Sequence, residues 1–282
     1  MAIHYEVKDR IAQIVIDGRG DYNLFNPDMV YLPLKKTLEA FRDDPEVWVA
    51  VVSAPQDKKV FTYGGDVKSV SAILNETVGD ADPDRGYNLS RERIFRHAYA
   101  QLEWTGVLTV GALELYKPLI FAVHGSCIGA GMLLMATNAD YTVVTPDARF
   151  GLTELKHGVG GGGGLGQQML SQLPWRIAMD MVVRARFMYA EEALRIGFVN
   201  EVVPKEELLA AAQRVAEDYA AMPPLHVQAV KRMALYSRDL PASAMAFPGM
   251  LMSALMQDTP DSKEGPKAFA EKRKANYTGK ME

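Results

Sequence analysis

The chain is organised around the segment Lys117-Pro-Leu-Ile-Phe-Ala-Val-His-Gly-Ser-Cys-Ile-Gly-Ala-Gly-Met-Leu-Leu-Met-Ala136. Its apolar run from Leu119 to Val123 contains β-branched residues, which predicts a strand buried on both faces of a sheet. Gly125 ends that run. The segment from Ile128 to Thr137 has the composition of a helix, with small residues only at its start. The stretch therefore predicts a buried strand, a glycine turn and a helix in succession.

A strand that turns through glycines into a helix leaves several backbone N–H groups without intrahelical acceptors, at the positive end of the helix dipole. Such a place can hold an anion, or an oxyanion that develops during a reaction. The alternative is that Gly129 and Gly131 only allow close packing. This stretch alone leaves both interpretations open.

A membrane span also has to be considered, because the chain from Leu119 to Ala136 is apolar except for His124 and Ser126. Three glycines and a histidine in mid-span, preceded by Lys117 and Pro118, make the stretch unsuitable for crossing a bilayer. We therefore predict no membrane segment here.

The composition is that of an ordinary globular protein, since 48% of the 282 residues are hydrophobic and 23% are charged. The net charge of −4 provides no basic surface of the kind that binds nucleic acid. Cys127 is the single cysteine, which excludes an internal disulfide framework and fits a reducing compartment. The first residues have no basic segment followed by an apolar one, so we expect no secretory signal and a cytoplasmic location.

Strands alternate with helical segments before the C-terminal part of the chain. Ile3 to Val7 and Ile11 to Ile16 predict a hairpin, and Val47 to Val52 predicts a buried strand. Phe61 to Asp66 is expected to form another glycine turn before a helical segment, which repeats the arrangement of strand, turn and helix. From Pro204 onward the sequence is strongly helical. This order predicts a parallel α/β architecture followed by an all-helical region of roughly 75 residues.

The first helix is predicted from its start signals. Asn26 can cap it and Pro27 fits its first turn, and Pro33 comes early enough to be tolerated. The apolar face expected for this helix, which should end near Asp43, consists of Met29, Leu32, Leu34, Leu38 and Phe41.

Residues 75–89 are acidic and rich in turn formers, so we predict a loop there, followed by a long helix over about 90–115.

The run from Gly158 to Gly166 can be matched to a dinucleotide fingerprint, but it is nearly all glycine and no apolar strand directly precedes it. The sequence contains no G-x-x-x-x-G-K-[ST] motif. We therefore predict that the protein does not bind a nucleotide through these glycines.

Five segments together resemble the crotonase (enoyl-CoA hydratase/isomerase) superfamily, in family order and over nearly the whole chain. The segment Phe61 to Lys68 is similar to the family signature F-x-A-G-A-D-hydrophobic-K. The segment Lys117 to Leu134 is similar to a second signature, K-P-hydrophobic-x-A-V-x-G-x-x-x-G-G-G. Phe150 to Glu154 resembles F-x-x-P-E. Arg195 to Val203 and Glu264 to Lys274 match two further family segments.

The resemblance implies a spiral of ββα units over residues 1–204 and a helical trimerisation region over residues 205–282, hence a homotrimer or a dimer of trimers. The implied substrate is a coenzyme A thioester. Coenzyme A is then part of the substrate, and no separate cofactor and no metal are expected. In the family, one backbone N–H from each glycine turn donates to the thioester oxygen, and these donors map onto Gly65 and Ala130. Two preorganised donors stabilise the negative charge that builds on that oxygen.

The resemblance also identifies the acid–base residue. Hydratases of the family use two glutamates, and Leu133 stands at the first of those positions. Glu154 stands at the second, although Thr153 replaces the usual proline. Glu154 is therefore the expected general acid/base, and apolar neighbours could raise its pKa toward the working pH. The alternative for Glu154 is a solvated or helix-capping role.

Activation of water would need a second polar group, and the sequence does not choose one. The candidates are His97, Tyr99, Glu103, Tyr63, His124 and His157. A structural role is the alternative for each of them. Tyr63 and Asp66 beside one turn, and Lys272 in the helical region, are the candidate contacts to coenzyme A. Lys272 can equally belong to a solvated helix face.

The expected function is that of an enoyl-CoA hydratase/isomerase-type enzyme of fatty or aromatic acid metabolism, a lyase or isomerase with a single glutamate. A standard two-glutamate hydratase is not expected. The first alternative is a hydrolase or lyase that cleaves a C–C bond of a β-oxo, cyclic or aromatic acyl-CoA. The second is a non-catalytic homologue that only binds acyl-CoA.

Overall fold

The structure, a computed structural model, describes residues 3–66, 113–158, 172–238 and 240–282. The predicted loop at 75–89 lies outside these residues, as do residues 90–112 of the predicted long helix and most of the glycine run after Gly158. In chain order the described strands are β1 (Ile3–Lys8), β2 (Ile11–Ile16), β3 (Val49–Ser53), β4 (Leu119–Val123), β5 (Ser126–Ile128), β6 (Tyr141–Val144), β7 (Arg149–Gly151), β8 (Met188–Tyr189) and β9 (Glu201–Val202). The described α-helices are α1 (Leu32–Asp43), α2 (Ala130–Asn138), α3 (Trp175–Val183), α4 (Ala190–Arg195), α5 (Leu208–Ala220), α6 (Pro224–Ser237), α7 (Ala242–Gln257) and α8 (Pro260–Ala270).

The main sheet has the strand order β1-β2-β3-β4-β6-β9. The predicted hairpin of β1 and β2 is confirmed, and its two turn residues, Asp9 and Arg10, have φ values of 49° and 69°. Positive φ at both positions matches the twist of a two-residue hairpin. The other neighbours in this sheet pair in parallel. The predicted parallel α/β architecture is thus confirmed.

Both faces of the central strands are buried, which explains why their sequences are continuously apolar. Successive side chains of a strand point to opposite faces. Phe121 of β4 packs in a core shared with α1 and α2, whereas Ile120 packs in a second core formed with α5. In that second core Val51 of β3 meets residues such as Leu208 and Val215. The predicted bounds of β4 agree with the structure, while β9 is shorter than the predicted strand from Phe198 to Val203.

The first helix differs from its prediction in its opening turn. Residues Pro27–Tyr31 form a π-helical turn, and α1 begins only at Leu32. Met29 and Leu32, predicted to be on the apolar face, are exposed, whereas Val30 and Tyr31 are buried. The other three residues of the predicted face, Leu34, Leu38 and Phe41, are buried, so the difference is confined to the opening turn.

A small sheet of β5, β7 and β8 positions the candidate site residues. In its parallel pair of β5 and β7, Cys127 lies opposite Phe150. Thr62 forms a parallel bridge with Cys127 on the other side. Three chain segments therefore run in the same direction in adjacent rows. A few residues after these paired positions come Gly64, Gly129 and Glu154. The backbone pairing therefore brings these three residues to one edge of the small sheet.

The predicted helical C-terminal region is confirmed as α5 to α8. Its division from the rest of the chain at residue 204 stays a prediction. Helix α5 lies beyond that position and packs on the main sheet through Leu208, Ala212 and Val215. No helix within the described residues is both long and apolar enough to cross a bilayer.

Candidate active site

Two glycine turns lie backbone to backbone at this edge: the first glycine turn (residues 62–66) and the second glycine turn (residues 125–131). A methyl group on Gly64 would lie 2.7 Å from the Ile128 carbonyl oxygen and 3.2 Å from the Ala130 nitrogen. Gly64 has a φ of +89°, which glycine adopts without strain. Only a residue without a side chain allows the two turns to approach this closely.

The second glycine turn leads directly into α2. Gly129 precedes the helix with φ 58° and ψ −126°, a conformation that L side chains disfavour. A methyl group on Gly131 would overlap the Thr62 Cγ2 atom, so the helix packs against the other turn at this point. Ala130 is the first residue of α2. Its N–H therefore has no intrahelical acceptor and lies at the positive end of the helix dipole.

The first glycine turn is held by hydrogen bonds to the segment that follows β2. The Thr62 hydroxyl donates to the Asn23 carbonyl oxygen at 2.6 Å and accepts from the Gly64 N–H at 2.9 Å. The Phe25 N–H donates to the Gly64 carbonyl oxygen at 2.8 Å, and the Asp66 N–H donates to the Phe25 carbonyl oxygen at 2.6 Å. These bonds fix the peptide units on both sides of Gly65.

The N–H groups of Gly65 and Ala130 are left available by this arrangement. Among the hydrogen bonds that the described residues make with one another, none uses either N–H as a donor. Preorganised backbone donors of this kind can stabilise an oxygen that gains negative charge.

Glu154 supplies a carboxylate beside the second glycine turn. It is the first residue of a short 3₁₀ turn, Glu154–His157, that follows β7. A methyl group on Gly129 would lie 2.9 Å from Glu154 Oε1, and Oε2 is buried without a hydrogen-bond partner among the described residues. Burial raises the pKa of this carboxyl group, while the backbone N–H groups of Glu154 and Thr153 and the charge of His157 oppose the shift. The group can therefore hold and release a proton closer to neutral pH than an ordinary glutamate.

Comparison with known sequences identifies the family of this chain. The sequence model of the family described as enoyl-CoA hydratase/isomerase matches residues 6–280. This chain belongs to the enoyl-CoA hydratase/isomerase family. The resemblance drawn from the sequence motifs is therefore confirmed.

Relatives across nearly the whole length support the assignment to the enoyl-CoA hydratase/isomerase family. The chain is 30% identical to the (E)-benzylidenesuccinyl-CoA hydratase of Thauera aromatica over 279 residues, 99% of this chain and 100% of that protein. It is 34% identical to a carnitinyl-CoA dehydratase of Salmonella arizonae over 250 residues, 85% of each chain. The crystal structure of an enoyl-CoA hydratase from Mycobacterium tuberculosis H37Rv superposes with a TM-score of 0.81 at 28% identity, over 99% of both chains. The predicted crotonase-like α/β fold is thus confirmed.

Leu133 is the residue predicted to stand where hydratases of the family carry the first of their two glutamates, and this correspondence stays a prediction. Its side chain is only 5% exposed and belongs to the hydrophobic core. Its N–H donates to the Gly129 carbonyl oxygen in the first turn of α2, at 3.0 Å. The position is thus adjacent to the second glycine turn and carries no ionisable group.

Tyr63 and Asp66, predicted to contact coenzyme A, lie in the first glycine turn and have partners on the protein. The Tyr63 hydroxyl accepts a hydrogen bond from Arg149 at 3.0 Å, and its ring stacks on Tyr22 with centroids 4.7 Å apart. Asp66 is buried and forms an ion pair with Arg19 at 3.3 Å. Their contact with coenzyme A stays a prediction.

The predicted histidines differ in their surroundings. His157 is exposed and is close enough to Glu154 for its charge to lower the pKa of that carboxyl group. His124 is buried after β4, with Nε2 3.1 Å from the Lys58 carbonyl oxygen, and burial lowers its pKa. His97 lies outside the described residues, as do Tyr99 and Glu103.

Lys272 is exposed in the turn after α8, with a φ of 55°. It has no described hydrogen bond or ion pair with Gly65, Ala130 or Glu154. The described structure therefore joins Glu154 and the two glycine turns into one cluster, and Lys272 is not part of that cluster.

Tyr31 belongs to the same cluster but was not predicted. Its hydroxyl oxygen lies 3.6 Å from the position of a methyl group on Gly65. Burial raises the pKa of Tyr31, and the negative charge of Glu154 raises it further. No motif in the sequence points to Tyr31, which is the last residue of the π-helical turn Pro27–Tyr31.

Proposed function

We propose that this protein catalyses the reversible addition of water to the double bond of an enoyl-CoA thioester, through an enolate and with a single glutamate. The observation that carries the proposal is the cluster formed by the Glu154 carboxylate and the available N–H groups of Gly65 and Ala130. Two relatives named as a hydratase and a dehydratase support the same reaction class.

Each member of the cluster has a distinct part in this reaction. The N–H groups of Gly65 and Ala130 donate to the thioester carbonyl oxygen, where negative charge develops as the enolate forms. The Glu154 carboxyl group moves the proton between water and the α carbon. Its raised pKa suits this work, because a group that must both accept and donate functions best near the operating pH.

Replacement of the carboxylate tests the proposal. In Glu154→Gln the amide cannot exchange a proton with the substrate, so we expect hydration of an enoyl-CoA to slow by roughly 10²–10⁴-fold. The ultraviolet absorbance of the conjugated thioester measures the rate. Glu191→Gln, an exposed glutamate at the start of α4, is the matched control and should retain full activity. Full activity in Glu154→Gln would reject the proposal.

Isomerisation is the second candidate, and the buried apolar side chain of Leu133 favours it. A single carboxylate is enough to remove a proton from one carbon and return it to another. Supplying a 3-enoyl-CoA to the enzyme distinguishes the two reactions. Formation of the conjugated 2-enoyl thioester without a hydrated product would favour the isomerase over the hydratase.

The acyl group is proposed to be larger than a short straight chain. The length of the predicted loop at 75–89 motivates this, and the full-length relative from Thauera aromatica is named for a benzylidenesuccinyl thioester. We expect cinnamoyl-CoA to be hydrated with a higher kcat/KM than crotonyl-CoA. A preference for crotonyl-CoA would contradict this part of the proposal.

Assembly as a homotrimer or a dimer of trimers is proposed from the surface of α7. Phe247 is 70% exposed and Met250 is 66% exposed, next to exposed Leu251 and Leu255. An apolar surface of this kind marks an interaction site. Light scattering should give a mass of three or six chains, and the double variant Phe247→Asp/Leu251→Asp should dissociate. A monomeric wild-type protein would contradict the assembly.

A further inference from the structure

Tyr31 ends the π-helical turn that precedes α1, and this turn sets the direction of its side chain. The N–H groups of Val30 and Tyr31 both donate to the Asn26 carbonyl oxygen, at 3.0 and 3.2 Å. The ring of Tyr31 is only 6% exposed and meets the Phe25 ring edge-on, with centroids 6.1 Å apart. Single π-helical turns are frequent at functional sites. The side chain is therefore fixed in the interior rather than free to move at the surface.

The Tyr31 hydroxyl lies beside one of the two proposed oxyanion donors. If Gly65 carried a methyl group, its carbon would lie 3.6 Å from the Tyr31 hydroxyl oxygen. No other heavy atom of the described residues would lie within 4 Å of that carbon. Among the described residues, the Tyr31 hydroxyl group is thus the nearest neighbour on this side of Gly65. An acyl group whose thioester oxygen is held at Gly65 would lie close to that hydroxyl.

The same hydroxyl lies within electrostatic reach of the acid–base residue. The negative charge of Glu154 adds to the effect of burial in raising the pKa of Tyr31. The phenol therefore stays protonated over the whole working range, so it can donate a hydrogen bond but cannot act as a base.

We propose that Tyr31 is a further catalytic residue, whose hydroxyl donates a hydrogen bond to the oxygen of the water that adds to the substrate. In the reverse direction it donates to the hydroxyl group that leaves. This inference rests on the proposed hydratase function. It supplies the second polar group that a single-glutamate hydratase requires, and it does so from a part of the chain remote from Leu133.

The step balances without further reactants. The water oxygen forms a C–O bond at the β carbon, while one O–H bond of the water breaks and its proton passes to Glu154. The electrons of the C=C bond move into the thioester enolate, held by Gly65 and Ala130. Glu154 then returns a proton to the α carbon, and Tyr31 keeps its own proton throughout.

Tyr31→Phe tests the inference, because it removes the hydroxyl and keeps the ring that packs on Phe25. Two reactions are measured: hydration of an enoyl-CoA, and exchange of the α hydrogen of butyryl-CoA for deuterium in D2O, followed by mass. Exchange needs Glu154 and the two N–H donors but no added water. We expect hydration to slow by roughly 10–100-fold, which is equivalent to about 1.4–2.7 kcal/mol and typical of a lost hydrogen bond, with exchange unchanged.

The outcomes separate this inference from the proposed function. Unchanged hydration in Tyr31→Phe would overturn the role of Tyr31 while leaving the hydratase proposal intact. Equal loss of hydration and exchange would also overturn it, because the hydroxyl would then act on the enolate chemistry or on folding. A wild-type protein without hydration or exchange would reject the proposed function, and the inference with it. Tyr5→Phe removes another buried hydroxyl, on β1, and should change neither rate.

Discussion

The two glycine turns present the same kind of backbone donor, but they are supported in different ways. The first glycine turn is held by side-chain hydrogen bonds, chiefly the Thr62 hydroxyl with the Asn23 carbonyl oxygen at 2.6 Å. The second is held by close packing, because Gly129 and Gly131 leave no room for a side chain against Glu154 and Thr62. Both turns therefore need glycine where they meet, through Gly64 in the first and Gly131 in the second, but the first turn depends in addition on the hydroxyl group of Thr62.

This difference shows where each half is vulnerable. Loss of a buried hydrogen-bonding group in the first turn leaves its partners without a hydrogen bond, which lowers the free energy of unfolding by about 1–3 kcal/mol. An added methyl group in the second turn causes overlap with atoms that have little freedom to move. The second turn also starts a helix, so its donor benefits from the helix dipole. We therefore expect the second turn to contribute more to catalysis and to tolerate less change.

Among substitutions within the two turns, the largest effect is expected from removing the donor of the second turn. Ala130→Pro deletes one N–H at the first position of α2, where proline is compatible with the helix. Because an oxyanion donor is lost, we expect kcat/KM for enoyl-CoA hydration to fall by roughly 10²–10³-fold with little change in Tm.

Ala130→Gly is the matched control for the proline variant, since it keeps the N–H and removes only the methyl group. It should retain most of the activity. An active Ala130→Pro enzyme would show that this N–H does not hold the thioester oxygen, and the two turns would no longer be equivalent donors.

The next effect concerns the contact between the turns. Gly131→Ala places a methyl group against Thr62 Cγ2, which we expect to destabilise the protein by about 1–3 kcal/mol in urea unfolding. Thr62→Ser removes that Cγ2 atom and keeps the hydroxyl bonds of the first turn. The double variant should therefore recover much of the loss. Strictly additive effects of the two substitutions would mean that the turns do not meet as described.

Much of the fold could be predicted because its signals are local. Strand β4 is a continuous apolar run bounded by Pro118 and His124, and its limits are those that the sequence predicts. The prediction of the first helix was wrong at Met29 and Leu32, because a π-helical turn shifts the start of the α-helix, whereas Leu34, Leu38 and Phe41 are buried as predicted. Periodicity assumes a constant turn, so it cannot detect such a shift.

The residues of the candidate site could be proposed from the sequence only where a motif contains them, and their roles stay predictions. Glu154 and the glycines stand in recognisable segments, and backbone pairing brings those segments together. Asn23 and Tyr31 belong to no such motif. Each acts on the first glycine turn from an isolated position far away in sequence, through contacts that only the folded chain creates.

The smallest effect is expected in the pH dependence of stability. It tests whether the Glu154 carboxylate, beside the second glycine turn, lacks the partners that would stabilise its charge. Below the ordinary glutamate pKa of 4.5 the Glu154 carboxyl group is neutral in both folded and unfolded protein. As pH rises, the unfolded chain loses this proton first because burial raises the folded pKa, so wild-type stability declines through the folded pKa. Glu154→Gln should therefore have a higher Tm than wild type at neutral pH, with the difference vanishing near pH 4. A Glu154→Gln variant less stable than wild type at neutral pH would mean that the carboxylate is satisfied by its surroundings, and that burial beside Gly129 serves structure rather than proton transfer.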